Sequence, residues 1–182
     1  MENIRLTFHN KVALDLLLYH ASKSESLNKS RTKSRLVFIS IIALLSALFI
    51  QLSPLISVCF IILGSIVFIF FPKYLAYYYK KHFSKLIKTE TFKNRLGQTF
   101  EICFTDAFIE IKNPKVETKY NISNFEYVAE TAEYFFIKLK VGDFLIYPKA
   151  QITNVETLKE YFKKVCIDYN IDYKNELNWK WK

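Results

Sequence analysis

Three histidines, three cysteines and three glycines carry most of what this chain could offer to catalysis or to a metal. His9, His20 and His82 fall on separate predicted elements and form neither an H-x-x-x-H nor an HExxH pair, so they make no zinc-type ligand set. Cys59, Cys103 and Cys166 are odd in number and widely spaced, with no CxxC. Buried free thiols follow from that, not a disulfide framework. Gly64, Gly97 and Gly142 belong to no GxGxxG, P-loop or G-x-S-x-G, so no glycine-rich loop brings backbone N–H groups up to a phosphate. The thirteen acids after residue 95 fall mostly on outward strand positions and assemble no carboxylate dyad. The expectation is a binding protein, not an enzyme, with no catalytic residue, metal or cofactor.

The stretch "FFPKYLAYYYKKHFSK", Phe70 to Lys85, mixes rings and lysines as a nucleic-acid surface would. Charge distribution argues otherwise. The formal net charge of +9 divides into +4 over residues 1–35, +6 over 73–95 and −1 over 96–182. A nucleic-acid-binding domain carries its basic footprint on its folded part; here the excess flanks an apolar block. No nucleic-acid partner is expected. Tyr74, Tyr77 and Tyr78 instead sit where aromatic belts form at a membrane exit, and Lys81, Lys85 and Lys88 continue into the field of an anionic leaflet. Trp179 and Trp181, set between lysines in "NELNWKWK", read either as a frayed end or as a second interfacial contact. Pro148 ends a predicted strand because it cannot donate to a ladder. Lys149 is then either solvated or a contact for an anionic headgroup or a partner.

These residues are positioned by an unusual block. Leu36 to Phe71 contains thirty-six residues without one charge. As a single helix it would be about 54 Å long, against a hydrocarbon core of about 30 Å. "QLSP", Gln51 to Pro54, supplies the break, giving spans at 36–52 and 55–71 in a two-helix transmembrane hairpin. The block begins too late and runs too long for a signal peptide. Lysines and arginines flank both outer ends and none lies in the loop, which places both termini in the cytoplasm of a bacterium, the hairpin being multi-pass in the inner (plasma) membrane. The bilayer is thus the first partner. Gly64 and Ser65, with Ser57 and Ala43, offer small surfaces through which a protein partner or a second copy could pack on the hairpin.

Residues 1–35 read as a short strand, with Ile4, Leu6 and Phe8 alternating, and a helix capped by Asn10. Residues 73–95 read as a connecting helix. From Thr99 the period is two: "TFEICF", "AFIEIK", "VETKYN", "SNFEYVAE", "YFFIKLK" and "DFLIYPK" make six short strands separated by turn signals. A T-x-x-E box at Thr153 and Glu156 then opens an amphipathic helix with Val155, Leu158, Phe162, Val165 and Tyr169 on one stripe. The fold class expected is α+β: a transmembrane hairpin plus, over 96–170, a pleckstrin-homology-like (PH-like) antiparallel β-sandwich or barrel closed by that C-terminal helix. Residues 171–182 are a tail.

The chain resembles the YcxB-like family of small bacterial membrane proteins. The resemblance rests on Tyr19-His20 followed by Lys23-Ser24, on "YNISNFEYVAE" (Tyr120 to Glu130), on "EYFFIKL", and on "FLIYPKAQI" with Pro148-Lys149. Tyr120 stands where the family often has tryptophan, and Ala150 where an arginine commonly follows Pro-Lys. The resemblance implies a cytoplasmic N-terminal segment, two adjacent spans and a C-terminal PH-like domain, with no catalytic residues to transfer. It implies an interaction protein, in a specialised form an immunity factor against a bacteriocin or toxin. The alternative is a regulatory or accessory subunit of a membrane complex or transporter.

Overall fold

The computed structural model describes residues 4–51, 53–93, 96–114 and 116–182. They fall into two compact units: Met1–Leu17 with Lys85–Lys180, and Leu18–Ser84 with Trp181–Lys182.

The first unit is built on two four-stranded sheets. β1 (Ile4–Thr7), β2 (Thr99–Phe104), β3 (Phe108–Asn113) and β4 (Val116–Asn121) pair antiparallel in that order. β5 (Phe125–Glu130), β6 (Tyr134–Leu139), β7 (Phe144–Pro148) and β8 (Asp172–Asn175) form the second, in the order β7-β6-β5-β8. Every strand expected from alternation is present. The eighth, β8, lies in the stretch expected as a tail and runs parallel to β5. The second sheet is therefore mixed and neither sheet closes into a barrel: of the expected antiparallel β-sandwich or barrel, the α+β class and the two sheets are present, and the closed barrel and the all-antiparallel pairing are not.

The cause lies in the final helix of the unit. A parallel pair needs a crossover connection, and helix α5, counted after the four helices given below and spanning Val155–Asp168, supplies it between β7 and β8. Asn170, at φ 52°, then reverses the chain, and the Ile171 N–H closes back on the Cys166 carbonyl at 2.8 Å. At its start α5 is capped by Asn154, whose Oδ1 accepts the Thr157 N–H at 3.1 Å, and not by the expected Thr153–Glu156 box. Asparagine is the stronger N-cap, so the helix begins one residue late for that box.

Register explains the two faces of the first sheet. Ile4, Leu6, Ile102, Phe104, Ile109, Ile111, Thr118 and Tyr120 share one side through directly opposed pairs. The other side carries the row Arg5–Glu101–Lys112–Glu117, alternating in sign across all four strands. Beside that row, Lys112 and Lys119 hold the Glu110 carboxyl down to about 2. The inner face meets Val128, Phe135, Ile137, Tyr147 and the buried stripe Leu158, Phe162, Val165 and Cys166 of the last helix in one core. Tyr169, expected on that stripe, is largely exposed and its hydroxyl donates to the Asp106 carbonyl at 2.9 Å.

Four helices precede α5. α1 (Asn10–Lys23) starts at Asn10 itself, with the His9 carbonyl accepting the Ala13 N–H at 3.0 Å. α2 (Glu25–Ile50) is capped by Ser24, whose Oγ accepts the Leu27 N–H at 3.3 Å. α3 (Pro54–Leu86) runs unbroken through Phe71 and Pro72, so the second apolar stretch and its basic-aromatic continuation are one helix. A short α4 (Glu90–Lys93) follows; Leu52, Asn94, Arg95 and Lys115, which expected segment ends and turns include, lie outside the described residues.

In the second unit, α2 and α3 are long and apolar enough to cross a membrane. Only 6% and 11% of their most apolar windows are buried. A core helix of a water-soluble domain would bury one face; these leave Leu44, Leu48, Leu55, Leu63 and Ile69 more than half exposed. The helices meet along a narrow seam. Phe38 stacks on Phe71 at 5.8 Å and Phe49 meets Phe60 at 5.4 Å. The buried Ser57 Oγ donates to the Ser46 carbonyl at 2.8 Å. Gly64 is buried there, and a Cβ on it would stand 2.7 Å from Ile42 Cγ2. Ser57 and Gly64 thus serve the hairpin itself, whereas Ala43 and Ser65 stay exposed.

Candidate binding cleft and buried ion cluster

The last helix covers only part of the first sheet. It packs where β2 and β3 turn: Phe104 meets Phe162 at 5.9 Å, and the Tyr161 hydroxyl donates to the Thr105 carbonyl at 2.8 Å. At the opposite end of the same face Ile111, Thr118 and Tyr120 are only half-buried, and Val116 is exposed. What remains is a cleft of about 380 Å³ between that end of the sheet, the whole of β7, and Val12 and Leu16 of α1. Its size is that of a small-ligand site. Among the described residues no charged side chain lines it, in a chain that is 24% charged.

A few polar groups mark its borders. Asn113 donates to Gln98 Oε1 at 2.8 Å at one end. At the other, Gln151 receives the Thr7 N–H at 2.7 Å and donates to the Thr7 carbonyl at 3.1 Å. The amide stands where a neighbouring strand would, closing the β1 edge. Tyr147 borders the cleft with a buried hydroxyl that has no hydrogen-bond partner among the described residues, and burial pushes its pKa well up. Asp143 and Lys149 take part in the bonds to β6, at Leu139 and Glu133, which turns the backbone groups of Phe144 and Ile146 toward the outer edge.

On the far side of β7 lies a charged cluster. Glu130, its side chain 4% exposed, accepts from Lys149 Nζ at 2.7 Å and from the Tyr173 hydroxyl at 2.6 Å, with Lys159 Nζ at 3.3 Å. Burial would raise the Glu130 pKa; the bonds from Lys149, Tyr173 and Lys159 outweigh it and hold the carboxyl below its ordinary value. Burial, and then Glu130 itself, push Tyr173 well up. Lys149 also lies over the Phe135 ring at 4.7 Å. Lys149 is therefore an internal ion-pair partner and not a solvated lysine, and Pro148 borders the cleft. Sequence reasoning missed Glu130 as its partner, although both fall in stretches that carry the family resemblance. The terminal carboxylate of "YVAE" and the lysine of "YPK" are nineteen residues apart.

The remaining expected site residues lie on α3 and the C-terminal segment. Tyr74, Tyr77 and Tyr78 are exposed, as are Lys81, Lys85 and Lys88, with Lys81 over the Tyr77 ring at 5.9 Å. Lys88 falls in the turn after α3, its N–H bonded to the Lys85 carbonyl at 3.1 Å. The two tryptophans are half-buried and differently engaged. Trp179 approaches Phe136 edge-on at 6.3 Å, within the β unit. Trp181 donates its indole N–H to the Ala76 carbonyl at 2.8 Å and meets Tyr79 edge-on at 6.3 Å, on the hairpin.

Residues 104–165 match the family model described as YcxB-like protein. The matched stretch runs from the end of β2 through most of the last helix, so it contains Glu130, Lys149 and Lys159 and omits the apolar helices. No curated protein and no solved structure matches the chain.

Proposed function

We propose, from the match of residues 104–165 to the YcxB-like family model, a membrane-anchored interaction protein. The hairpin of α2 and α3 crosses the plasma membrane of a bacterium, and the β unit, of PH-like type, captures a partner in its uncharged cleft. The observation that carries this reading is the occurrence of exposed apolar helices in one chain with a folded unit whose cleft has no charged side chain among the described residues that line it. One feature supports the expected topology. β1 precedes the hairpin and β2 follows it, yet the two pair along four registers. A sheet built from both sides of the hairpin supports a topology in which both sides share one face of the membrane, and the basic flanks favour the cytoplasm as that face.

An uncharged cleft fits an apolar segment of a peptide, and this supports the immunity form of the proposal, in which a membrane-active peptide toxin is bound. The reading of a regulatory subunit that packs on other helices is weakened by the use of Ser57 and Gly64 inside the hairpin. The test places a photo-crosslinking residue at Thr118, in the cleft, and at Lys119, on the opposite face, in intact cells. Membrane-retained protein with toxin adducts at 118 and few at 119 is expected, together with toxin sensitivity in a deletion strain. Release by alkaline carbonate would overturn the anchor, and equal adducts at both positions would overturn the cleft.

A further inference from the structure

The seam between α2 and α3 does not stay apolar. Above Phe38 the same face of α2 presents Asn28, Arg31, Thr32 and Arg35, spaced i, i+3, i+4 and i+7. With Pro72 and Leu75 of α3 they enclose a cleft of about 220 Å³. Two guanidiniums thus lie on the packing side of a helical hairpin. No Asp or Glu carboxylate among the described residues pairs with either; the oxygen that meets Arg31 is that of Lys182, the last residue of the sequence. The nearest acid on α2, Glu25, is taken by Lys29 at 2.9 Å.

Both guanidiniums are held on aromatic faces. Arg35 lies over the Phe68 ring at 5.7 Å and Arg31 over Trp181 at 5.5 Å. Arg31 also donates one bond, to the Lys182 backbone oxygen at 2.8 Å. A stacked guanidinium keeps its in-plane N–H donors for a planar or tetrahedral oxyanion. Asn28 and Thr32 direct their donors to the Ser22 and Asn28 carbonyls, so the arginines supply the charge. Like charges one helical turn apart repel, and an anion between them removes that repulsion. The depth is also set by sequence: Arg35 immediately precedes Leu36, where the uncharged block begins, and Pro72 immediately follows Phe71, where it ends.

We propose that this cleft binds the phosphate of an anionic phospholipid, one per hairpin, with Arg31 and Arg35 as its ligands. The proposal rests on the reading of the hairpin as membrane-spanning, which puts the cleft at headgroup level. Exposed lysines farther along α3 attract an anionic surface diffusely; the two arginines make a site.

The full chain, purified in mild detergent, is titrated with phosphatidylglycerol or phosphatidylcholine and bound lipid is counted by native mass spectrometry. One retained phosphatidylglycerol is expected, with a preference of about tenfold over phosphatidylcholine. The pair Arg31→Gln and Arg35→Gln should abolish the preference, the pair Arg31→Lys and Arg35→Lys should retain part of it, and Lys80→Gln with Lys81→Gln should leave it unchanged. Circular dichroism checks that each variant is helical; if the glutamine pair unfolds, the lysine pair carries the decision. Loss with the Lys80 and Lys81 pair equal to that with the arginine pair overturns the site in favour of diffuse attraction. Displacement of the lipid by millimolar inorganic phosphate overturns it in favour of a free anion. Carbonate extraction separates the two levels: a released protein sinks the membrane reading, whereas a retained protein without lipid preference sinks this inference alone.

Discussion

Replacing Glu130 by glutamine removes the carboxylate that, among the described residues, neutralises two poorly hydrated ammonium groups. The side chains of Lys149 and Lys159 are 16% and 25% exposed, so neither recovers full hydration when its partner is lost. Breaking a buried pair by deleting one member costs about 3–5 kcal/mol. Glutamine keeps an acceptor for the Tyr173 hydroxyl, so the lower end, about 3 kcal/mol, is expected. For a chain of this size that lowers the melting midpoint by about 6–12 °C, measured on the full chain in detergent by near-ultraviolet circular dichroism. Pairing Glu130→Gln with Lys149→Met should recover part of the loss, and the double-mutant cycle reports the coupling. The pH dependence is a second readout. Glu130 binds its proton less readily folded than unfolded, so its contribution is complete above the ordinary carboxyl value of 4.5 and is lost as pH falls through its lowered folded value. The variant should lack that acid limb. A midpoint within about 2 °C of the unaltered chain at pH 7 would refute the reasoning, as would an acid limb identical in both.

Three further outcomes follow from local geometry. Gly64→Val should loosen the hairpin, because a Cβ meets Ile42 Cγ2 at 2.7 Å; overpacking of about 1–3 kcal/mol exceeds the helix-propensity gain, read as slower disulfide formation across the seam in a chain that also carries Phe49→Cys and Phe60→Cys. Gln151→Leu leaves both backbone groups of Thr7 without the amide and should cost about 1–3 kcal/mol, read as faster hydrogen exchange confined to residues 4–7. Tyr147→Phe removes a buried hydroxyl without a partner among the described residues and should leave the melting midpoint unchanged or raise it; a fall of several degrees would show that the hydroxyl is satisfied after all.

How much of this is legible in the sequence depends on range. Strands with strict alternation, such as "TFEICF" and "AFIEIK", declare themselves because the pattern is local and one face is buried. β8 does not: "DYKN" has one apolar residue, and its place is fixed by pairing with Tyr127 to Glu130 forty-five residues earlier. Asn154 and Thr153 are both competent caps in adjacent positions, and the T-x-x-E spacing points to the weaker of the two. The cleft is invisible for a related reason. It exists because the last helix is too short to cover the whole inner face of the first sheet, which no single stretch records. The charged seam of the hairpin reads in sequence only as a flank, since "KSRTKSR" gives its charge but not which of its arginines face α3.

The pairing of β1 with β2 also fixes an order of events. Thr7 and Thr99, whose hydroxyls lie 3.2 Å apart, are separated by 92 residues of chain, and the whole hairpin lies between them. At a synthesis rate of about 5–20 residues per second, the first strand waits roughly 5–20 s for its partner. During that interval Ile4 to Thr7 are an unpaired strand on a growing chain, and both apolar helices are already made. The sheet therefore cannot be completed before both helices are made, and under the proposed membrane reading insertion becomes an upstream checkpoint for the folding of the β unit. Under that same reading, a chain whose second helix failed to return would keep β1 across the bilayer from β2, as an unfinished domain with an open edge.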